Sequence, residues 1–179
     1  ADVLEELGED DRVSIVSQLE SKRAADVLDA MQPDDAADLM SELPVETAQS
    51  LLSLMEPDEA ADVRGLMAYK ESTAGSLMTT EPVILAPDAT VAQMLASIRR
   101  SDLPVSLAAA AFIARPPLEP PTGQYLGAVH FQRALREPPN TLVGTIMDTD
   151  LDRLSPDAHV ATVTRLLATY NLTVLPVVD

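Results

Sequence analysis

The chain has 179 residues and no cysteine, and it carries 29 acidic against 12 basic side chains, a net charge of −17. That length allows one large domain or two small ones, each able to bury a core. With no Trp, two Phe and three Tyr, such an acidic chain is a poor partner for nucleic acid or anionic lipid. The lack of cysteine excludes disulfides and thiolate metal sites.

The acidity is uneven. Residues 1–70 hold 18 acids and 5 bases, residues 71–179 hold 11 and 7. Across the first segment apolar residues recur every twelve positions, at Leu7, Leu19, Met31, Leu43 and Met55, and again at Ile15, Val27, Leu39, Leu51 and Val63. Small residues fall between them at Ala24-Ala25, Ala36-Ala37, Ala48 and Ala60-Ala61. This pattern predicts five two-turn helices, too short to be stable alone, stacked into a compact superhelix. Pro33-Asp34-Asp35 and Pro57-Asp58-Glu59 supply a first-turn proline followed by acids that complement the helix dipole; Pro44-Val45-Glu46 does so one position earlier, and Ser21 is a candidate cap. The exposed acids, Asp34, Asp35, Asp38, Asp58, Glu59 and Asp62, serve either solvation and the dipole or a shallow surface for a hard divalent cation.

After Tyr69 the period changes. The pattern predicts a strand over Glu81–Leu85, a helix from Thr90 to Arg100, a strand over Ser106–Ala114, a proline-rich loop over 115–123, a strand over Gln124–Phe131 and a short helix over Gln132–Arg136. The order is β-α-β-β-α. The phrase GSLMTTEPVILAPDATVA at 75–92 returns 69 positions later as GTIMDTDLDRLSPDAHVA at 144–161. The second copy predicts a strand near Asp152–Leu154, a helix over Val160–Tyr170 and a strand over Thr173–Val178, and lacks its last strand and helix. The longest apolar run, Leu107 to Ala114, is far below the roughly 20 residues needed to span a bilayer. A first residue other than Met and an ending just after an apolar run suggest a piece of something longer.

A tandem repeat of this order, with GSLMT, PVILAPDATVAQML and NLTVLPVVD, resembles paired cystathionine-β-synthase (CBS) domains. An acidic Pro-Asp helical repeat running into Tyr69-Lys70-Glu71-Ser72-Thr73-Ala74-Gly75 resembles the cytosolic region of MgtE-type magnesium transporters. The fold expected from both is multidomain, α plus α/β: an N-terminal short-helix superhelix over 1–70, CBS domain 1 over 71–141 and a truncated CBS domain 2 over 142–179.

The resemblance implies a cytoplasmic, non-enzymatic Mg2+-sensing region that forms a homodimer and gates a membrane channel domain following Asp179. The alternative is a soluble relative acting as an adenylate-binding or protein-interaction module. It also implies candidate Mg2+ ligands: Asp58, Glu59, Asp62 and Glu71 on the helical side, with Asp88, Asp148, Asp150, Asp152 and Asp157 opposite. Thr173, Val174 and Pro176 would face an adenine nucleotide. Departures from the family pattern weaken both sites. Ser72 stands where the junction motif has Asp, and His159, Ala161 and Asn171 align with acidic ligand positions. His130 and Arg133 replace the hydroxyl and Asp that hold a ribose. Mg2+ binding is therefore expected to be millimolar at best. Neither His130 nor His159 has a second His or a Cys at ligand spacing. No nucleophile elbow, glycine-rich phosphate loop or paired-acid cleft points to catalysis.

Overall fold

The computed structural model describes Leu4 and residues 7–101, 103–105, 107–118, 120 and 123–178. It divides into two compact units, Ala1–Thr80 with Pro156–Val160, and Glu81–Ser155 with Ala161–Asp179.

In the first unit the helices are α1 (Glu9–Gln18), α2 (Ser21–Leu28), α3 (Pro33–Glu42), α4 (Val45–Leu52) and α5 (Pro57–Met67). Each starts twelve residues after the last, as the periodicity predicts. Pro33 and Pro57 occupy the first turn, where a missing N–H costs nothing. Ser21 does not cap α2: it lies inside the first turn, Glu20 holds the cap position, and no side-chain cap bond forms. Alternate helices stack, α1 on α3, α3 on α5 and α2 on α4, and the buried Ala24, Ala25, Ala36, Ala37, Ala48 and Ala60 permit that approach. The large core residues include a twelve-residue series one position on from the predicted one: Val16, Leu28, Met40 and Leu52. The predicted series is buried at Leu39, Leu51 and Val63, while Ile15 is 41% exposed.

The second unit contains β1 (Ile84–Leu85), α6 (Val91–Ile98), β2 (Ala110–Arg115), β3 (Gln124–His130) and α7 (Phe131–Ala134). β1 runs parallel to β2, with Ile84 opposite Phe112, and β2 runs antiparallel to β3, with Ala111 opposite Val129. The strand expected over Ser106–Ala114 starts later, because a 3-10 turn occupies Leu107–Ala109. The one expected over Glu81–Leu85 is two residues long. Thr90 opens α6 with a capping box: its hydroxyl accepts from the Gln93 N–H at 3.3 Å, and its N–H donates to Gln93 Oε1 at 2.8 Å. Val91, Met94, Ala111, Ile113, Val129, Ala134 and Val143 form the core.

The helix α8 (Val160–Tyr170) occupies the predicted span. The strands expected near Asp152–Leu154 and over Thr173–Val178 reduce to one parallel bridge, Leu154 to Val177. Among the described residues this copy has no counterpart of β3 to bond the other edge, so no ladder propagates.

The repeated phrase has a structural purpose. In the second unit the N–H groups of Gly144 and Val143 donate to the carbonyls of Pro87 and Ala89 at 3.0 and 2.8 Å, and Val91 N–H donates to Thr141 at 2.8 Å. In the first unit Gly75 and Ala74 donate to Pro156 and Ala158 at 2.8 and 2.7 Å, and Val160 donates to Ser72 at 2.8 Å. Every residue of one set is 69 positions from its counterpart. The entry segment of each copy thus clasps the Pro-Asp-Ala segment of the other. Glycine is required where the entry passes closest: a Cβ on Gly144 would lie 2.6 Å from the Pro87 carbonyl oxygen, and one on Gly75 would meet the Tyr69 ring.

Candidate functional sites

The first-turn acids of α5 project from the end of a helix whose N–H groups carry partial positive charge. Asp58 and Asp62, one turn apart, are exposed, and Glu59 is half-buried. Arg64, on the same helix, donates to the Leu52 carbonyl at 3.1 Å. Glu71 and Asp157 are exposed in the first unit; Asp88, Asp148, Asp150 and Asp152 are exposed in the second. Asp148 is not free-standing, since its Oδ1 accepts from the Asp150 N–H at 2.9 Å and its backbone bridges to Ala128. Among the described residues no three Asp, Glu or His gather closely enough to hold a metal ion.

At the start of α3, burial pushes the Asp34 carboxyl up to about 6; Asp35 and Asp38 add repulsion, and backbone hydrogen bonds work the other way. Asp35 is instead paired with Arg12 of α1 at 3.4 Å.

Two positions expected from the family pattern to lack a ligand have a backbone explanation. Among the described residues, Ser72 and Asn171 are the non-glycine residues with positive φ, 60° and 51°. Asn171 follows the last residue of α8 in the left-handed conformation that closes a helix, and Leu172 N–H returns to the Leu167 carbonyl at 2.9 Å. An amide suits that role as well as an acid does.

A cleft of about 240 Å3 opens beside the end of β3, lined by Ala128, Val129, His130, Arg133, Ile146 and Asp148. Arg133 pairs with Glu137 at 3.1 Å, so the cleft carries a half-neutralised cation at one side and the Asp148 carboxylate at the other. Tyr125, on β3, has its hydroxyl buried without a hydrogen-bond partner; burial pushes its pKa up to about 12, against the pull of Arg153, which lies 5.8 Å over the ring. Ile146 and Asp148 reach the cleft because the second entry segment pairs with β3, a tertiary placement that no local pattern announces. Thr173, Val174 and Pro176 do not line it: Thr173 is exposed, Val174 half-buried, and the Pro176 carbonyl accepts from Leu154 N–H at 2.9 Å. A second cleft, about 250 Å3, lies in the helical unit against Ser21, Glu46, Thr47, Ser50 and Leu51.

An acidic module of short helices at twelve-residue intervals, followed by one β-α-β-β-α unit whose entry phrase returns 69 residues on, defines a class: a helical N domain followed by a CBS-like fold. Residues 1–72 match the family model of the MgtE intracellular N domain. Over 117 residues the chain is 31% identical to the magnesium transporter MgtE of Thermus thermophilus, covering 65% of this chain and 25% of that protein. A crystal structure of the cytosolic domain of the Mg2+ channel MgtE in complex with ATP aligns over 99% of this chain and 71% of its own, with 29% identity and a TM-score of 0.85. The soluble part of a magnesium transporter aligns over 99% and 68%, with 22% identity and a TM-score of 0.88, and so shares the fold. A CBS pair domain from Shewanella oneidensis MR-1 aligns over 85% of each chain, with 20% identity and a TM-score of 0.62. Over nearly its whole length the chain is similar to the cytosolic domain of MgtE, with residues 1–72 matching the MgtE intracellular N domain and the remainder sharing the fold of a CBS pair domain. No helix among the described residues is long and apolar enough to cross a membrane.

Proposed function

We propose that this chain is the Mg2+-sensing regulatory part of a magnesium transporter, non-catalytic and coupled to a channel domain that it gates. The observation that carries this reading is the alignment over 99% of the chain to the cytosolic domain of a Mg2+ channel, at 29% identity. The exposed carboxylates of α5, together with Glu71 and the acids of the second unit, would attract the ion. Mutual repulsion of acidic surfaces, relieved by divalent cations, supplies the differential affinity that any such switch needs. Because Ser72, His159, Ala161 and Asn171 contribute no carboxylate, affinity falls in the millimolar range or weaker. Calorimetric titration with Mg2+ beside a sodium chloride control at equal ionic strength tests this. Saturable, millimolar heat that disappears in a D58N/D62N double variant supports it, and micromolar stoichiometric binding, or none above the salt control, overturns it.

A second reading, an adenylate-binding or protein-interaction module, rests for its nucleotide on the cleft at Val129–Arg133 and on a relative solved with ATP. The cleft is small beside the roughly 300–1,000 Å3 of typical ligand sites. ATP binding lost on Arg133→Ala would establish it.

A further inference from the structure

The entry segment of the first copy is built into the helical module. Met78 packs against the helical core, and the 3-10 turn Gly75–Leu77 packs against α3 and α5. Gly75 lies against the Tyr69 ring, the Thr73 hydroxyl donates to the Lys70 carbonyl at 2.7 Å, and the Ser76 hydroxyl donates to the Thr73 carbonyl at 3.1 Å. On its other side the same segment holds Pro156–Val160 through three backbone hydrogen bonds and the Thr73–His159 bridge. Val160 is the first residue of α8. The leading N–H groups of a helix have no partner within it, so Val160 spends its N–H on Ser72.

We propose that this clasp makes Pro156–Val160 part of the cooperative unit of the helical module, so that loosening of that module is felt at the first residue of α8. The matching clasp around Thr141–Gly144 provides the internal control: its partners, Pro87–Val91, sit with the sheet and core of the α/β unit. Elements that open together exchange their amide hydrogens together. The coupling therefore predicts that Ala74, Gly75 and Val160 exchange with the amides of α5, while Val91, Val143 and Gly144 exchange with β2 and β3.

Hydrogen exchange on the full chain and on its Met78→Ala variant tests the assignment. Removing Met78 from the helical core is expected to speed exchange at Ala60, Ala74, Gly75 and Val160 together by roughly tenfold, with Val91, Val143 and Gly144 changed less than about twofold. Acceleration at Ala60 that leaves Val160 at its original rate overturns the proposal, as does equal acceleration of both clasps. Should the variant fail to fold, a urea series on the unaltered chain decides. The exchange free energy of Val160 must fall with the slope of Ala60 and Val63; the slope of Val143 and Gly144 overturns the proposal.

Discussion

In the first copy of the repeated phrase, the helix that follows is a core element: α6 buries Val91 and Met94 completely. In the second copy, α8 presents the same kind of amphipathic sequence and buries none of its residues fully. The clasps are alike in register, so the backbone pattern set by Gly, Pro-Asp-Ala and Val does not by itself build a core. What differs is the sheet. α6 belongs to a copy with three paired strands, and α8 to a copy whose pairing stops at one bridge. A repeated phrase thus specifies how the copies hold each other, and the strands specify how much each can bury.

The largest expected effect probes that difference directly. Met94→Ala should cost about 2–5 kcal/mol, the range for emptying a fully buried site. Val163→Ala, at the position 69 residues on and half-buried, should cost about 1 kcal/mol or less. Urea denaturation of both variants measures the gap, and equal losses would mean that α8 is packed as tightly as α6.

The clasps themselves can be compared through their glycines. On Gly144 an added Cβ would meet the Pro87 carbonyl oxygen and Cα, which are backbone atoms that cannot step aside. On Gly75 it would meet the Tyr69 ring, whose side chain has torsions to adjust. Gly144→Ala should therefore cost about 2–3 kcal/mol and Gly75→Ala about 1 kcal/mol, both as overpacking. A reversal of that order in thermal or urea melts would show that the Tyr69 ring is the more rigid wall.

How much of this was legible in the sequence follows from the range of each interaction. The twelve-residue period located the helix starts, because capping prolines, acids and alanines act within one turn. It missed Val16, Leu28, Met40 and Leu52 as a core series, since which of two adjacent apolar positions is buried depends on the neighbouring helix. The phrase at 75 and 144 was visible as a repeat, but its crossed pairing was not, because long-range backbone bonds leave no mark on side-chain type. The strands at 152–154 and 173–178 read well locally and formed only a bridge, since a strand needs a partner on its edge. The acids at 58, 62 and 71 were legible as surface. The cleft beside β3 needed Ile146 and Asp148, which only the tertiary pairing delivers, and Thr173, Val174 and Pro176 fell elsewhere.

Between the helical and α/β units, pH offers a sharper contrast. Asp34 has a folded pKa of about 6 against an unfolded value near 3.8, so the folded chain binds more protons between those values. Stability should fall as pH rises from about 4 to 6, and the lost contribution stays lost above 6. Asp34→Asn should then raise stability at pH 7 by about 1 kcal/mol, allowing for partial exposure of the group, with the gain shrinking to nothing near pH 4. The change belongs in the melting of α3 and its neighbours, with β2 and β3 unaffected, and a gain that is constant with pH would refute the ionisation argument.

The smallest effect compares the two left-handed residues. Ser72 leads into the first clasp and Asn171 closes α8, at φ of 60° and 51°. Asparagine accepts this conformation more readily than serine, because its short amide finds local hydrogen bonds there. Replacing Ser72 by Gly should remove strain of about 1 kcal/mol or more, offset by the greater freedom glycine has in the unfolded chain. The net gain is roughly 0.5 kcal/mol, and Asn171→Gly should be neutral or slightly unfavourable for the same two reasons. Ser72→Asp tests the alternative that the junction motif favours Asp for its charge. If backbone tolerance is the reason, Ser72→Asp and Ser72→Asn should stabilise the chain equally in melts with no divalent cation added. An advantage for Asp that appears only on adding Mg2+ would assign the position to ion binding instead.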